Sequence, residues 1–323
     1  EAAPEPSWRP AATLPVLRRR AELMARARAF FADRGVLEVE TPLVAATTVT
    51  APHLESLGVI DPGGRPAGWL QTSPEYAMKR LLAAHPVPMV QICKAFRAGE
   101  AGSRHNPEFT LVEWYRPGVS LAQIMDEAVA LVGALLDDRR PVRRRDYAEL
   151  FAEHTGIDPF RCSDRTLADQ AAALGLDPAD AGGLDRDGLL DLVFSHGVQP
   201  HLGREGPELV TGFPASQAAL ARVAPGPPAV AERCELYLAG MELANGYQEL
   251  TDAAELERRW RGEQAARRAA GRPVPAMDAR LLAAQRSGLP ECAGVALGFD
   301  RLVMLATGCR RLEETLVFPD ARA

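Results

Sequence analysis

Two stretches of strand character, Val87 to Phe96 and Thr110 to Tyr115, enclose a polar segment built largely of charged and small residues. Runs this close in sequence pair most simply as a hairpin with a long polar tip. Further strands are expected at Leu209 to Phe213, around Arg233 to Leu238 and at Tyr247 to Thr251, dispersed among helical segments. No regular strand–helix–strand rhythm joins them, so the pattern predicts an α+β fold with a central antiparallel sheet flanked by helices.

Around that hairpin the helices announce themselves by periodicity. Leu17, Ala21, Met24, Ala27 and Phe31 form an apolar stripe over Val16 to Arg34, and Gly35 follows as a stop. Val36 to Thr41 then alternates as a short strand before Pro42, which suits an edge because it cannot donate a ladder hydrogen bond. Ser73-Pro74-Glu75 opens a helix over Tyr76 to Ala84, and Leu121 to Leu136 is helical throughout. The charged run Asp137 to Arg145 reads as a surface connection, and Ala253 to Gly271 as a charged helix with one solvated face. Residues 146–208 carry short helical patterns broken by Gly, Asp and Pro; they read as a helical insertion within one domain spanning residues 1–323. No internal repeat or low-complexity tract interrupts this order.

With 47% hydrophobic and 25% charged residues over 323 positions, the chain can bury a large core. Its net charge of −6 provides no bulk attraction for nucleic acid. The five cysteines are scattered and never paired as CxxC, which argues against a disulfide framework or zinc knuckle and for a reducing cytoplasm. Neither a signal sequence nor an apolar run long enough for a bilayer is present, so export and membrane insertion are not expected.

Two arginine-bearing segments carry the chemistry. Phe96-Arg97 through Arg104-His105-Asn106-Pro107-Glu108-Phe109-Thr110, and Gly294-Val295-Ala296-Leu297-Gly298-Phe299-Asp300-Arg301, together resemble motifs 2 and 3 of the class II aminoacyl-tRNA synthetases. The helix, Gly35, strand and Pro42 resemble motif 1, which in that family builds a dimer interface. The resemblance implies that Arg97 contacts the α-phosphate of ATP, Arg104 and His105 the γ-phosphate end, and Arg301 the triphosphate from the opposite side. Phe109 would stack on adenine, while Glu100, Asn106, Leu243 and Gly298 would line the nucleotide site. A planar guanidinium suits this work because it offers several fixed donors to phosphate oxygens. Arg97, Arg301 and His105 are thus the expected catalytic residues.

Glu235 and Glu242, seven residues apart, fit two carboxylates on adjacent strands converging on Mg2+, which needs few carboxylates beside phosphate oxygens. On the substrate side, Glu113-Trp114-Tyr115 and Asn245-Gly246-Tyr247-Gln248-Glu249 resemble the lysine pocket of class II lysyl-tRNA synthetases. A buried ammonium requires opposite charge and several acceptors, which Glu113, Glu249 and the Tyr115 hydroxyl supply. Glu75, reached through Ser73 and Pro74, would meet the second amino group, with Asn245, Tyr247 and Ala296 completing the pocket.

The motif 1 helix begins near Val16, leaving no place for the anticodon-binding domain that precedes this fold in the tRNA enzymes. A stand-alone catalytic domain of this kind resembles the elongation factor P-lysine ligases, and phrases such as Phe213-Pro214-Ala215-Ser216-Gln217 and Gly240-Met241-Glu242-Leu243-Ala244-Asn245-Gly246 look closer to them than to the tRNA enzymes. Such a resemblance implies ATP-dependent activation of (R)-β-lysine and its transfer to a lysine of elongation factor P, with tRNA not the acceptor and a homodimer through the motif 1 region. Ala296 stands where the tRNA enzymes carry glycine, and a methyl group there would reshape the space around the α-amino group. One departure concerns motif 2, where Gly99 occupies the position of a usual glutamate and the acid follows at Glu100. Two other readings remain: a truncated lysyl-tRNA synthetase paralogue using α-lysine, and an inactive synthetase-like regulatory subunit.

Overall fold

The computed structural model describes residues 8–176 and 183–323. Its frame is an eight-stranded sheet in the order β1-β5-β6-β13-β12-β11-β8-β7. The strands are β1 (Leu37–Glu38), β5 (Met89–Phe96), β6 (Glu108–Pro117), β7 (Arg143–Asp146), β8 (Glu208–Thr211), β11 (Arg233–Leu238), β12 (Met241–Gln248) and β13 (Cys292–Gly298). Six of them pair antiparallel in the centre, whereas β1 joins β5 and β7 joins β8 in parallel at the two edges. Between β1 and β5 lies a small sheet of β2 (Val44–Ala45), β3 (Gly58–Ile60) and β4 (Pro66–Leu70); β9 (Val223–Ala224) and β10 (Val230–Ala231) form a separate ribbon.

Alternation along the central strands divides the sheet into two faces. One face, including Val112, Trp114, Leu236, Val295 and Leu297, is covered by α1 (Leu14–Ala32), α3 (Leu121–Leu136) and α9 (Phe299–Thr307) and forms the principal core. Helix α3 has the boundaries its sequence specifies. Ser120 and Gln123 form a capping box, Ile124, Met125, Ala128, Leu131, Val132 and Leu135 are buried, and Asp137 ends the helix at φ 55°. Helix α1 buries Leu23, Ala27, Phe30 and Phe31, and Gly35 turns the chain at φ +65° into β1.

The polar face of the sheet carries the cavity described below. Its floor is made by α2 (Glu75–Ala84), whose Met78 and Leu82 pack with Met89, Tyr115, Leu289 and Cys292. Helices α7 (Ala253–Ala269) and α8 (Ala279–Gly288) lie beyond it and share the apolar cluster of Leu256, Trp260 and Leu281. Between β7 and β8 come α4 (Tyr147–Thr155), α5 (Asp164–Ala173) and α6 (Arg186–Val193), which share a second core around Tyr147, Phe151, Phe194 and Phe213.

Three expectations require correction. The strand expected over Val36 to Thr41 shortens to Leu37–Glu38, the two residues that pair with β5. The charged run after Asp137 is not entirely connection, because Arg143–Asp146 forms the edge strand β7 against β8. Long side chains with exposed tips suit an edge whose outer backbone faces water, and charge alone concealed the strand. The strand expected from Tyr247 to Thr251 instead starts at Met241 and ends at Gln248. Ala239 and Gly240, at φ 54° and +73°, form a tight turn directly after β11, so the chain returns to the sheet at once.

Candidate active site

A cavity of about 310 Å³ opens on the polar face, between the hairpin tip, β12, β13 and the start of α9. On β6, Phe109, Leu111, Glu113 and Tyr115 point into it at alternate positions, as do Gly294, Ala296 and Gly298 on β13. Asn245, Tyr247 and Glu249 follow along and just past β12. Glu242 is an odd number of residues from Asn245 and in a regular strand would face the core. The register shift opposite Leu236 and Tyr237 changes the phase, and Glu242 also lines the cavity.

One end of the cavity is basic. Arg97 leaves the end of β5 with its guanidinium 5.0 Å from the centre of the Phe109 ring and 3.7 Å from Glu100. Gly99, at φ +79°, makes the turn that places Glu100 on the cavity wall, so the displaced motif 2 acid still reaches the site. Arg104 donates to the Gly240 carbonyl at 2.9 Å. Arg301, in the first turn of α9, donates to the Glu242 carbonyl at 2.9 Å and to His105 Nε2 at 2.7 Å. Only a neutral imidazole accepts that bond, and burial together with the Arg301 charge holds His105 below its usual pKa. The N-terminus of α9 adds its partial positive charge, giving an end that fits an anionic phosphate chain.

Asn106 lines this end, but its side chain is engaged locally: it donates to the Glu108 carbonyl at 2.7 Å and accepts from the Asp320 amide at 3.0 Å. Leu243 and Gly298 are also in the wall.

At the other end lie three carboxylates. Glu113 is 2% exposed, accepts from Ser73 Oγ at 2.6 Å and from the Tyr115 hydroxyl at 2.7 Å, and burial raises its pKa to about 7. Glu249, 1% exposed, is raised to about 8, again chiefly by burial. Glu75, at the start of α2, completes the set. Pro74 caps α2 and is not in the cavity wall. Tyr247 and Ala296 are, and Ala296 stands between Asn245 and Glu113 in the cross-strand register.

Glu235 and Glu242 do sit on neighbouring strands, yet only Glu242 lines the cavity. Arg233, Tyr237 and Asn245 all bond to the Glu235 carboxylate, whose pKa burial lifts to about 6. Among the described residues no cluster of three or more His, Cys, Asp or Glu is arranged to hold a metal.

Several residues that shape the cavity were not singled out in the sequence. Gly294 begins the motif 3 phrase, and a Cβ there would overlap the Glu249 carboxylate and the Tyr115 ring, so glycine is required for both to approach. Asp300 accepts from the Thr110 amide at 2.7 Å and pairs with Arg20 of α1 at 2.6 Å. Lys79 of α2, 1% exposed, bonds to Glu75 at 2.6 Å and to Glu249. Its signal was the i, i+4 spacing from Glu75, which also describes any surface helix pair.

An antiparallel sheet with a hairpin-borne arginine facing a helix-borne one across a nucleotide-sized cavity is the architecture of class II synthetases, and residues 7–322 match the family described as tRNA synthetases class II (D, K and N). The chain belongs to that family. Its curated relatives include proteins named elongation factor P–(R)-β-lysine ligase from Salmonella dublin, Salmonella paratyphi B (strain ATCC BAA-1250 / SPB7) and Salmonella heidelberg (strain SL476). Each is 46% identical over 321 residues, covering 98% of this chain and 98% of the relative.

Proposed function

We propose that this chain is an ATP-dependent, AMP-forming ligase that activates (R)-β-lysine and transfers it to the ε-amino group of a lysine on elongation factor P. The observation that carries this reading is the polarity of one continuous cavity, with arginines and a helix N-terminus at one end and three carboxylates, two of them buried, at the other. A diamino acid laid along it has its ammonium groups among Glu75, Glu113 and Glu249 and its carboxylate toward Arg97. The names of the relatives, matched over 98% of their length, support elongation factor P as the acceptor.

In the first step an oxygen of the amino acid carboxylate attacks the α-phosphorus, and pyrophosphate leaves with the electrons of the broken P–O bond. Arg97 neutralises charge that builds on the α-phosphate, while Arg301, Arg104 and His105 hold the departing end; Phe109 stacks with the base. Holding the reactants in line between these groups replaces a costly encounter in water. In the second step the acceptor amine attacks the acyl carbon, AMP leaves, and a phosphate oxygen of the adenylate takes the amine's proton.

Magnesium fits the donor set with Glu242 as the carboxylate facing the cavity and phosphate oxygens completing the shell. Glu235, one strand away, joins it only by exchanging its contact with Arg233 or Asn245. When bound, the ion screens the triphosphate charge.

The exposed edge strand β1 carries Leu37, and a groove beside it is lined by Phe31, Val36, Val90 and Ile92. The unpaired edge with its exposed Leu37, flanked by the Arg28–Glu38 ion pair, supports a homodimer through α1 and β1. No helix among the described residues is long and apolar enough to cross a membrane; a translation factor as acceptor places the proposed reaction in the cytoplasm.

The test is mass spectrometry of elongation factor P after incubation with the enzyme, ATP and either lysine isomer. The expected product carries one β-lysyl addition on a single lysine. Addition from α-lysine alone, or adenylate formation with transfer only to tRNA, rejects the proposal.

A further inference from the structure

The chain contains 37 Lys and Arg residues, of which only Lys79 and Lys94 are lysine. At nearly every other basic position arginine serves, including the equally buried Arg267, so a lysine enclosed between two cavity acids requires a reason. Lys79 is 1% exposed, and its ammonium lies between Glu75 on the same helix and Glu249 at the end of β12. Both acids line the cavity, but Lys79 does not. Three cavity carboxylates and one ammonium behind them leave the floor with two negative charges when all are ionised.

We propose that Lys79 is a specificity-determining positioning residue: a built-in ammonium that holds Glu75 and Glu249 from beneath and trims the cavity's charge to match a ligand bearing two ammonium groups. This inference rests on the ligase reading above and names how its substrate end is tuned. A compact ammonium suits the place better than a guanidinium, because it binds two acids from one point and needs little volume.

The surrounding groups are consistent with that role. Facing Lys79 or its partners are Glu75 from α2, Glu113 and Tyr115 from β6, Tyr247 and Glu249 from β12, and Cys292 from β13. Burial pushes the Tyr115 and Tyr247 hydroxyls and the Cys292 thiol upward, so near neutral pH they are uncharged. Burial alone would depress Lys79, but the charges of Glu249 and Glu75 overcome it and hold its pKa above the ordinary lysine value. In turn Lys79 opposes the rise that burial imposes on Glu113, to about 7, and on Glu249, to about 8.

The sign of the pH effect follows. A carboxyl with a raised pKa holds a proton below that pKa, and a cationic ligand must displace it, so affinity for the diamine grows as pH rises through 7 to 8. Removing the Lys79 charge lets both carboxyls rise further, and the same growth then needs a higher pH.

The experiment is amino-acid-dependent pyrophosphate exchange with wild type, Lys79→Met and Lys79→Ala, from pH 6 to 9, using (R)-β-lysine, α-lysine and 6-hydroxynorleucine. Lys79→Met is expected to raise the KM for the preferred diamine about tenfold at pH 7, the worth of one pKa unit, with the KM for ATP within about twofold. Its pH profile moves upward by about one unit, and propylammonium in the assay restores part of the activity of Lys79→Ala. A diamine KM unchanged at every pH, or one raised equally at every pH without propylammonium rescue, overturns the role of Lys79. Wild-type enzyme that activates neither lysine isomer overturns the ligase reading instead. Should the variants not fold, 15N-lysine labelling of the wild type decides, since only two Nζ signals exist. A slowly exchanging ammonium that persists to pH 9 and shifts on adding diamine is expected, whereas a neutral amine, or a signal indifferent to diamine, overturns the proposal.

Discussion

Gly294 shows how a single absent side chain shapes recognition. It stands opposite Tyr115 in the β6–β13 register, and the space where its Cβ would be is filled by the Tyr115 ring and the Glu249 carboxylate. The backbone conformation there does not demand glycine; the close approach of its neighbours does. Gly294→Ala is therefore expected to push Glu249 or Tyr115 out of place, at a cost of about 1–3 kcal/mol in stability from overpacking. In pyrophosphate exchange, kcat/KM for the diamine should fall by at least about tenfold, equivalent to about 1.4 kcal/mol of transition-state binding, while the KM for ATP holds. Equal losses for both substrates would mean that the damage spreads through the sheet.

Among the elements, α1 reaches the cavity from the opposite side of the sheet through Arg20. Its guanidinium pairs with Asp300 at 2.6 Å and donates to the Thr110 hydroxyl at 2.9 Å, and Asp300 in turn accepts from the Thr110 amide. Three elements, α1, β6 and α9, are thus pinned beside Phe109 and Arg301. Arg20→Ala leaves the Asp300 carboxylate buried without its cation, and urea denaturation should show a loss of about 3 kcal/mol. An elevated KM for ATP with little change for the diamine would accompany it; stability equal to wild type would contradict this account. At this scale the sequence was readable where local signals agree. The Ser120 cap, the apolar stripe and the end at Asp137 specify α3 to the residue, and the alternation Glu113, Tyr115 put both side chains on one face. It was unreadable where tertiary geometry decides: the register shift that turns Glu242 into the cavity, the engagement of Glu235 by Arg233, and the pairing of Lys79 with the sequence-distant Glu249 have no local signature.

For the molecule as a whole, edges and amines matter more than any one contact. Leu37 on β1 is 56% exposed and lies beside the groove of Phe31, Val36, Val90 and Ile92. If that edge joins two copies, Leu37→Asp should shift the mass measured by light scattering from dimer to monomer; a wild-type protein already monomeric at micromolar concentration would refute the dimer. The scarcity of lysine has a separate consequence for an enzyme that generates a reactive acyl phosphate anhydride. Such an anhydride is attacked by unprotonated amines, and of the chain's two lysine side chains Lys79 is enclosed and held as ammonium by two carboxylates. Lys94, 42% exposed and 3.1 Å from Glu108, is the remaining side-chain amine. Self-acylation by escaped intermediate thus has a single lysine to find, and a surface furnished with arginine leaves the activated group for its intended acceptor.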